Sequence, residues 1–395
     1  MSAVRGPRPR YASPAAALPS VEMAARWLRR SQLPAVPVRV PRIGAEYELL
    51  AFDSSSRLPA QWQQGHGPLA RWLHGHAWAR NWRPDASAKG APRWLLPHGG
   101  VLTLEPGGQV EYATPPFTDP TRLTDDLRAV IESLYQSATR SGIELQACGI
   151  DPYNPLRAAP LQFESPRYAR MAAHFARRGD AGARMMRQTA SLQINLDARV
   201  ATDLTWRTAN ALVPYLVALF ANSAWYAGHD TGAASYRARV WRELDPDRTG
   251  LMPGREDPAR EYARFALAAP ALLLEGEPFG ARPRGPADWP EHLSTLFPEV
   301  RPRGYLEIRS IDAVDLERAG RALRMVAGLL WHPEALACVA AVIGEPDPQL
   351  LERAGEQGLA DETLRLRAER LQDLGESAAA ELSGAKSAAR GPLRR

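Results

Sequence analysis

Acidic and amide side chains recur at alternate positions in several short segments whose composition is typical of β-strands. The segments are IGAEYEL (43–49), TASLQINLD (189–197) and YLEIRSI (305–311). Side chains two residues apart on a strand point to the same face of a sheet. Each segment therefore predicts a strand with one apolar and one polar face. The polar positions that could do chemistry are Glu46, Glu48, Gln193, Asn195, Glu307 and Arg309.

A fourth polar face is predicted in residues 101–113, VLTLEPGGQVEYA, which read as a β-hairpin turning at Pro-Gly-Gly. A two-residue loop would mix polar and apolar side chains on each face, whereas a three-residue loop keeps them apart. We therefore expect the three-residue loop, with a glycine supplying the positive φ. This register pairs Thr103 with Glu111, Leu104 with Val110, and Glu105 with Gln109.

If these strands share one sheet, several glutamates crowd the same surface. Like charges so close together raise carboxyl pKa values, and hard divalent cations relieve that repulsion. Carboxylate and amide oxygens are the ligands that Mg²⁺ or Mn²⁺ prefers, and Mg²⁺ in such a site commonly accompanies a polyphosphate. The alternative is a set of half-exposed strands with solvated polar faces. The predicted metal ligands are Glu46, Glu48, Glu105, Glu111 and Glu307.

Arginines cluster in residues 228–250, beside a loop rich in Gly, Ser and Thr. Arginine suits phosphate and carboxylate recognition because its guanidinium donates two parallel hydrogen bonds. We expect Arg237 and Arg248 to be functional, and Arg239 and Arg242 to be solvated on the surface of a helix.

Composition and charge exclude several other functions. The chain has 395 residues and a net charge of +5, but the basic excess lies in its two ends, so a nucleic-acid partner is not expected. Cys148 and Cys338 are too few for a disulfide framework or a Cys-based zinc site. Three histidines (His66, His74 and His76) lack acidic or cysteine partners at ligand spacing, which argues against zinc.

Disordered tails are predicted at 1–20 (basic) and 376–395 (rich in Ala and Arg), around a single catalytic domain at 21–375. The opening residues do not resemble a signal peptide, and the uncharged stretch 209–228 is expected to be a buried core helix. We therefore expect a cytoplasmic protein without a membrane partner.

Helices with one apolar face are predicted between the strands, while 53–100 is expected to be irregular. Strands scattered among helices of unequal length indicate an α+β fold with an antiparallel sheet. The helices are expected at 21–31, 119–141, 166–178, 203–226, 257–274, 315–329, 332–343 and 348–373, and the strands at 39–52, 101–113, 143–149, 189–197 and 304–311.

Taken together, these segments resemble the plant-type glutamate–cysteine ligases, within the carboxylate–amine ligases of glutamine-synthetase-like fold. The resemblance covers about residues 40–330, in the family's order. Its most specific strings are LTLEPGGQVEYATPP (102–116) and LFANSAWYAGHDTGAASYRARVWRELDPDRTG (219–250).

The resemblance implies a curved antiparallel sheet with helices on its convex side, and a concave face that binds ATP, glutamate and two or three Mg²⁺ ions. Arg237 and Arg309 would hold phosphate or the substrate carboxylate. The acidic residues would bind metal, and the remaining matched positions would bind the nucleotide. Those nucleotide-binding positions are Gln109, Gln193, Asn195 and Arg248.

The implied reaction forms γ-glutamylcysteine, a step of glutathione biosynthesis, through γ-glutamyl phosphate. Such a site needs positioned charges rather than a nucleophilic side chain. Two features depart from the family pattern: Gln188 stands where an arginine is usual, and 275–288 is short. The acceptor amine therefore stays open, as does the oligomeric state.

Three alternatives remain at this point. The first is a related carboxylate–amine ligase that uses another amino acid or amine. The second is a non-enzymatic, arginine-rich binding protein. The third is a kinase-like relative that releases a phosphorylated product without ligation.

Overall fold

The structure is a computed structural model that describes residues 20–33, 38–87, 90–163, 165–198, 202–272, 278–281 and 288–388. Its strands are β1 (Ile43–Asp53), β2 (Arg83–Pro84), β3 (Arg93–Leu95), β4 (Val101–Leu104), β5 (Val110–Ala113), β6 (Ile143–Gln146), β7 (Ser191–Leu196), β8 (Trp225–Tyr226), β9 (His229–Asp230), β10 (Val300–Pro302) and β11 (Leu306–Asp312). Its helices are α1 (Val21–Ser31), α2 (Pro68–Ala79), α3 (Pro120–Arg140), α4 (Pro166–Phe175), α5 (Ala181–Gln188), α6 (Thr202–Phe220), α7 (Tyr236–Leu244), α8 (Pro258–Ala268), α9 (Asp288–Leu293), α10 (Leu316–Trp331), α11 (Pro333–Ile343), α12 (Pro348–Gln357) and α13 (Glu362–Ala388).

A nine-stranded sheet lies at the centre of the described residues. The strand order is β10-β11-β7-β1-β5-β4-β3-β2, and β6 pairs with the far end of β1. All of its strand pairs are antiparallel. The mixture of helices with an antiparallel sheet confirms the predicted α+β class.

The hairpin between β4 and β5 has the predicted register. Thr103 lies opposite Glu111, and Leu104 lies opposite Val110. The amide of Glu105 donates to the carbonyl of Gln109 at 2.9 Å, which closes the three-residue loop. Gly108 supplies the positive φ of 91°.

The apolar face of the sheet packs against helices. Ala45, Tyr47 and Leu49 of β1 are at most 2% exposed and belong to one hydrophobic core with residues of α3, α6 and α10. The predicted buried helix is confirmed for residues 209–220, since these form the end of α6 and are all buried. The polar face of the same strands is thereby left for the site.

Several predicted boundaries are wrong. The helix expected at 203–226 ends at Phe220, the one expected at 257–274 ends at Ala268, and the one expected at 348–373 is divided into α12 and α13. The stretch 53–100 is not irregular throughout, because it contains α2, β2 and β3.

The predicted disordered tail at 376–395 is wrong for the residues that the structure describes. Helix α13 continues to Ala388, and Ala378 and Ala379 are only 4% and 3% exposed. Helix α13 runs close to α10 just before this segment, since a Cβ on Gly328 would lie 1.9 Å from the carbonyl oxygen of Gly375. The tail at 1–20, except Ser20, and residues 389–395 lie outside the described residues.

Among the described residues, no helix taken singly has the length and apolar character needed to cross a membrane. The pair α10 and α11 would reach that length and composition together, but the two helices meet at 93°.

Candidate active site

A cavity of about 340 Å³ opens on the polar face of the sheet. This volume is within the range of small-molecule sites. Strands β1, β5, β7 and β11 form its floor, and residues of α4, α5 and α7 cover it.

Four glutamates meet on the floor of this cavity, and we call them the acid cluster: Glu46, Glu48, Glu105 and Glu111. Strand register explains why they meet. Glu48 of β1 lies directly opposite Glu111 of β5, and Glu46 lies opposite Gln193 of β7. Glu105 joins them from the start of the hairpin loop. The structure thus brings together side chains from distant parts of the chain, as the strand patterns predict.

The acid cluster is poorly solvated, and this shifts its protonation. Burial raises the pKa of all four carboxyl groups. For Glu105, repulsion from Glu48 and Glu46 adds to burial, and its pKa rises to about 7. Glu111 has its pKa raised well above the usual value for the same reasons. Four such groups cannot all be charged at neutral pH without a compensating cation.

Strand β7 supplies hydrogen bonds to two of the four glutamates. Glu48 accepts from the amide and hydroxyl of Ser191 at 2.7 and 3.1 Å, and from Nε2 of Gln193 at 3.0 Å. Glu46 accepts from Nδ2 of Asn195 at 3.1 Å. The amides predicted to bind the nucleotide therefore also orient the carboxylates on β1.

Arginines form the opposite side of the cavity, and we call them the arginine wall: Arg237, Arg301, Arg303 and Arg309. Glu307 lies among them, fully buried. Its carboxylate accepts from Arg301 at 2.5 and 3.0 Å and from Arg309 at 2.9 Å. Although burial opposes it, these arginines lower the pKa of Glu307 to about 2. Glu307 is thus a charged counter-ion here, and it could bind a cation only if an arginine released it.

Three buried N–H groups around this wall have no hydrogen-bond partner: Nε of Arg237, Nε of Arg309 and Nε1 of Trp241. The two guanidinium carbons lie 5.7 and 5.6 Å from the centroid of the Trp241 ring. Buried donors are normally satisfied, so unpaired ones at a cavity favour an anionic ligand such as a carboxylate or phosphate.

Two of the predicted nucleotide-binding residues have mainly structural contacts. Gln109 lines the cavity, but its amide accepts from Gly107 N at 2.9 Å and donates to the carbonyl of Thr189 at 2.9 Å. Asn195 lines a neighbouring depression on the far side of Glu46. Its Oδ1 is buried and has no partner.

The structure contradicts the predicted role of Arg248. This residue is 0% exposed and does not line the cavity. Its guanidinium donates to Asp245 at 3.1 Å, to Thr295, and to the carbonyl of Pro270. All of these partners are internal, so Arg248 ties the loop after α7 to the core. Sequence spacing alone does not separate such a residue from one that faces a ligand.

Arg239 and Arg242 were expected to be solvated on a helix surface, but both form ion pairs. Both pair with Glu356 of α12, at 2.7 Å for Arg242. They face away from the cavity, as expected, but they link two helices.

The residues that cover the cavity are not predicted by the strand patterns. Helix α4 contributes Arg167, Tyr168 and Met171, and α5 contributes Met185 and Met186. Arg167 donates to the carbonyl of Ser294 at 2.8 Å, while its Nε is buried without a partner. The only signal in the sequence is the amphipathic spacing of α4, which is equally typical of a core helix.

The hairpin loop packs tightly against the end of α5. A Cβ on Gly107 would lie 2.2 Å from the carbonyl oxygen of Arg187, so only glycine fits. The next residue, Gln188, is buried, donates to the carbonyl of Asn154 at 2.8 Å and accepts from Tyr226. It does not line the cavity. At this position, where the resemblance leads us to expect an arginine, Gln188 is therefore a structural amide.

The chemistry of the acid cluster fits a hard divalent cation. Its donors are carboxylate oxygens that repel one another, and the amide of Gln193 lies beside them. Within the described residues, no three His, Cys, Asp or Glu side chains already surround one point as a metal site would. Cation binding would therefore draw these side chains closer together.

The cavity thus carries carboxylates on one side and arginines on the other. In comparison with known protein families, residues 42–394 match glutamate-cysteine ligase family 2. The chain belongs to this family and is therefore an enzyme of the ligase class. The alternative of a non-enzymatic binding protein is wrong.

Individual relatives agree with this assignment. The glutamate–cysteine ligase EgtA of Mycolicibacterium smegmatis is 35% identical over 374 residues, covering 88% of this chain and 82% of that protein. The chloroplastic glutamate–cysteine ligase of Medicago truncatula is 30% identical over 321 residues, covering 75% and 62%. A solved complex of the prokaryotic ubiquitin-like protein Pup with its ligase PafA covers 91% of this chain and 66% of that chain. Its identity of 13% and TM-score of 0.41 are too low to support a conclusion.

Proposed function

We propose that this protein is an ATP- and Mg²⁺-dependent glutamate–cysteine ligase that joins the γ-carboxylate of glutamate to the amine of cysteine. The observation that carries the proposal is the meeting of the acid cluster and the arginine wall in one cavity, in a chain of this ligase family. We further propose a cytoplasmic enzyme acting on small molecules.

The acid cluster supports the metal and nucleotide half of the proposal. Glu48, Glu105 and Glu111 would hold one Mg²⁺, while Glu46 and Gln193 would hold another, joined by Glu307 once an arginine releases its carboxylate. A third ion and replacement by Mn²⁺ are compatible with this donor set. When bound, Mg²⁺ neutralises the phosphate oxygens of ATP. Ser191 and Gln193 hold the carboxylate of Glu48 in place for this task.

The arginine wall supports the part of the proposal that concerns binding of the anionic groups. Arg237 and Arg309 carry unpaired, buried N–H groups and face the acid cluster across the cavity. A substrate carboxylate or the transferred phosphoryl group would satisfy these donors. Arg309 also donates to Oε1 of Gln193 at 2.6 Å, which fixes the distance between the two halves.

The proposed reaction has two steps. A γ-carboxylate oxygen of glutamate attacks the γ-phosphorus of ATP and displaces ADP, giving γ-glutamyl phosphate. The cysteine amine then attacks the acyl carbon, loses a proton, and displaces inorganic phosphate as the amide bond forms. The chain's residues position the reactants and balance the charge; no side chain is needed as a nucleophile.

The experiment combines coupled ADP release with product mass, for each pair of acid and amine. We expect glutamate and cysteine to give ADP and γ-glutamylcysteine. Glutamate labelled with ¹⁸O in its γ-carboxylate should transfer one labelled oxygen to the released phosphate, which tests the acyl phosphate. A phosphorylated acid without ligation would instead identify the kinase-like alternative.

A related ligase with another amine or acid remains the second candidate, because Gln188 is buried in contact with Asn154 and Tyr226, where the family usually has an arginine. The same assay separates the two. Turnover with another pair, together with none for glutamate and cysteine, would replace the first proposal by the second.

A further inference from the structure

A second concave site lies on the outer side of the molecule, between α2 and α3. This α2–α3 groove has a volume of about 410 Å³ and shares no lining residue with the active-site cavity. Its lining includes Arg71, Gly75, His76 and Arg80 from the α2 side, and Ser137 and Arg140 from α3. Arg71 lies four positions before Gly75, and His76 lies four positions before Arg80, so these residues follow one stripe of the helix.

The groove has a concentrated positive charge without a counter-ion. None of Arg71, Arg80 and Arg140 forms an ion pair with a carboxylate within the described residues. The guanidinium of Arg71 is instead directed to the carbonyl of His66 at 2.5 Å. No acidic residue lines the groove. Arg239 and Arg242 differ in this respect, because they share Glu356 as a counter-ion.

Helix ends explain only part of this arrangement. Arg140 is the last residue of α3 and Arg80 follows α2, so both complement the negative ends of helix dipoles. Arg71 lies in the first turn of α2, where a positive charge is unfavourable for the dipole. Its position is therefore not explained by the helix ends.

A buried histidine provides an independent observation. His76 is 6% exposed, its ring packs against Trp82 at a centroid distance of 4.8 Å, and its Nε2 has no hydrogen-bond partner. Burial, together with the charges of Arg80 and Arg140, lowers the pKa of His76 to about 4. A neutral imidazole thus lies in a positive field that the protein does not balance.

We propose that the α2–α3 groove is a binding site for a small oxyanion, of phosphate or carboxylate chemistry, held by Arg71, Arg80 and Arg140 beside His76. Guanidinium groups recognise both kinds of oxyanion through charge-assisted hydrogen bonds. The bound anion supplies the counter-charge that this part of the chain lacks. The site is separate from the proposed ligase centre and does not depend on the identity of its substrates.

The test follows the ring signal of His76 by NMR in the full-length protein, because phosphate also binds at the arginine wall and a bulk measurement would not separate the two. The signal is assigned from the His76→Gln variant. Inorganic phosphate is titrated in one arm and citrate in another, at constant ionic strength set with chloride. A saturable shift of the His76 signal with either probe supports the site, and the tighter probe identifies the anion class.

Gly75 offers a matched pair of variants. A Cβ at Gly75 meets nothing within 4 Å, so a side chain fits there without disturbing the fold. Gly75→Glu places a carboxylate one helical turn from Arg71 and should abolish the shift, whereas Gly75→Gln should retain it. Equal binding by the two variants would overturn the proposal.

Charge removal gives a second, independent measurement. The exposed pair Arg80→Gln/Arg140→Gln should weaken binding by about 10-fold or more, the loss expected for charge-assisted hydrogen bonds. Arg122→Gln, at an exposed arginine of α3 outside the groove, should leave it unchanged. No saturable shift with either probe in the wild-type chain, or no weakening in the double variant, would also overturn the proposal.

Discussion

The two sides of the active-site cavity differ in how their buried charges are compensated. The arginine wall contains its own counter-ion, since Arg301, Arg303 and Arg309 all lie within ion-pair distance of Glu307. The acid cluster forms no ion pair among the described residues, and the pKa values of its members are raised. One side is stable without a ligand, while the other depends on protons or cations.

This contrast indicates which side responds to which ligand. Cations should act mainly on the acid cluster, whose repulsion they relieve. Anions should act mainly on the arginine wall, where buried N–H groups of Arg237 and Arg309 lack a hydrogen-bond partner.

Glu105→Gln should reduce turnover at least about 10²-fold, because it removes a charge that would stabilise the cation-bound transition state. The substitution preserves shape and relieves the repulsion on Glu48 and Glu46. Steady-state kinetics at saturating ATP measure the effect. The exposed Glu132→Gln on α3 is the control and should keep full activity; a wild-type rate for Glu105→Gln would remove this residue from the site.

Glu307→Gln should also reduce turnover about 10²-fold, and its kinetics distinguish two roles. If Glu307 binds a cation in the working enzyme, the variant should require more Mg²⁺. If it only holds Arg301 and Arg309, the KM for the acid substrate should rise while the Mg²⁺ requirement stays constant. A variant with neither change would show that the buried ion pairs are dispensable.

Arg237→Ala should raise the KM of the anionic substrate about 10-fold or more, the value of one charge-assisted hydrogen bond. Arg239→Ala, two residues away on α7, is the matched control, because its partner is Glu356 rather than the cavity. Kinetics of both variants with varied glutamate and varied ATP would show which substrate is affected. Equal effects at the two positions would contradict the assignment of Arg237 to the site.

Stability should depend on pH and Mg²⁺ together. The pKa of Glu105 is raised from 4.5 to about 7, so the folded state binds this proton more tightly than the unfolded state. The free energy of unfolding without cations should therefore fall as pH rises from about 4.5 through 7, by linkage. Because Mg²⁺ competes with that proton, its stabilisation should be larger at about pH 8 than at about pH 6.

Chemical denaturation with Mg²⁺ or with a chelator measures this effect. Glu105→Gln is the control and should flatten part of the pH dependence. A stabilisation by Mg²⁺ that is independent of pH would mean that cations do not bind the acid cluster.

Arg248→Met should have the smallest effect on catalysis, since this residue does not reach the cavity. It should instead reduce the free energy of unfolding by about 3 kcal/mol, because Asp245 loses its buried partner. Arg178→Met is the comparison, as its side chain is 40% exposed and pairs with the same Asp245. The free energy of unfolding of Arg178→Met should fall by less than about 1 kcal/mol. Altered KM values in folded Arg248→Met would reinstate a direct role.

The sequence predicts the floor of the site well, because strand alternation has a short and strict period. The faces of β1, β5 and β7 follow from which residues alternate, and the loop length follows from keeping the hairpin faces consistent. Once the strands are neighbours, the meeting of Glu48 and Glu111 requires no further information.

The cover of the cavity could not be predicted in the same way. Helices α4 and α5 present Tyr168, Met171 and Met186 to the cavity, but such residues are equally common in a core. The predicted role of Arg248 is wrong for a related reason. Its burial among Asp245, Thr295 and Pro270 is a property of the folded chain and cannot be read from the local sequence.

The close contact of Gly107 with Arg187 joins the floor of the cavity to the helix α5 that covers it. The loop that carries Glu105 rests directly on the backbone at the end of α5, and no side chain lies between them to absorb a displacement. A shift of α5 towards the loop, and with it of Met185 and Met186, would therefore press on the segment that carries Glu105. A substrate that displaced α5 on binding would then change the spacing of the carboxylates proposed to hold the cation.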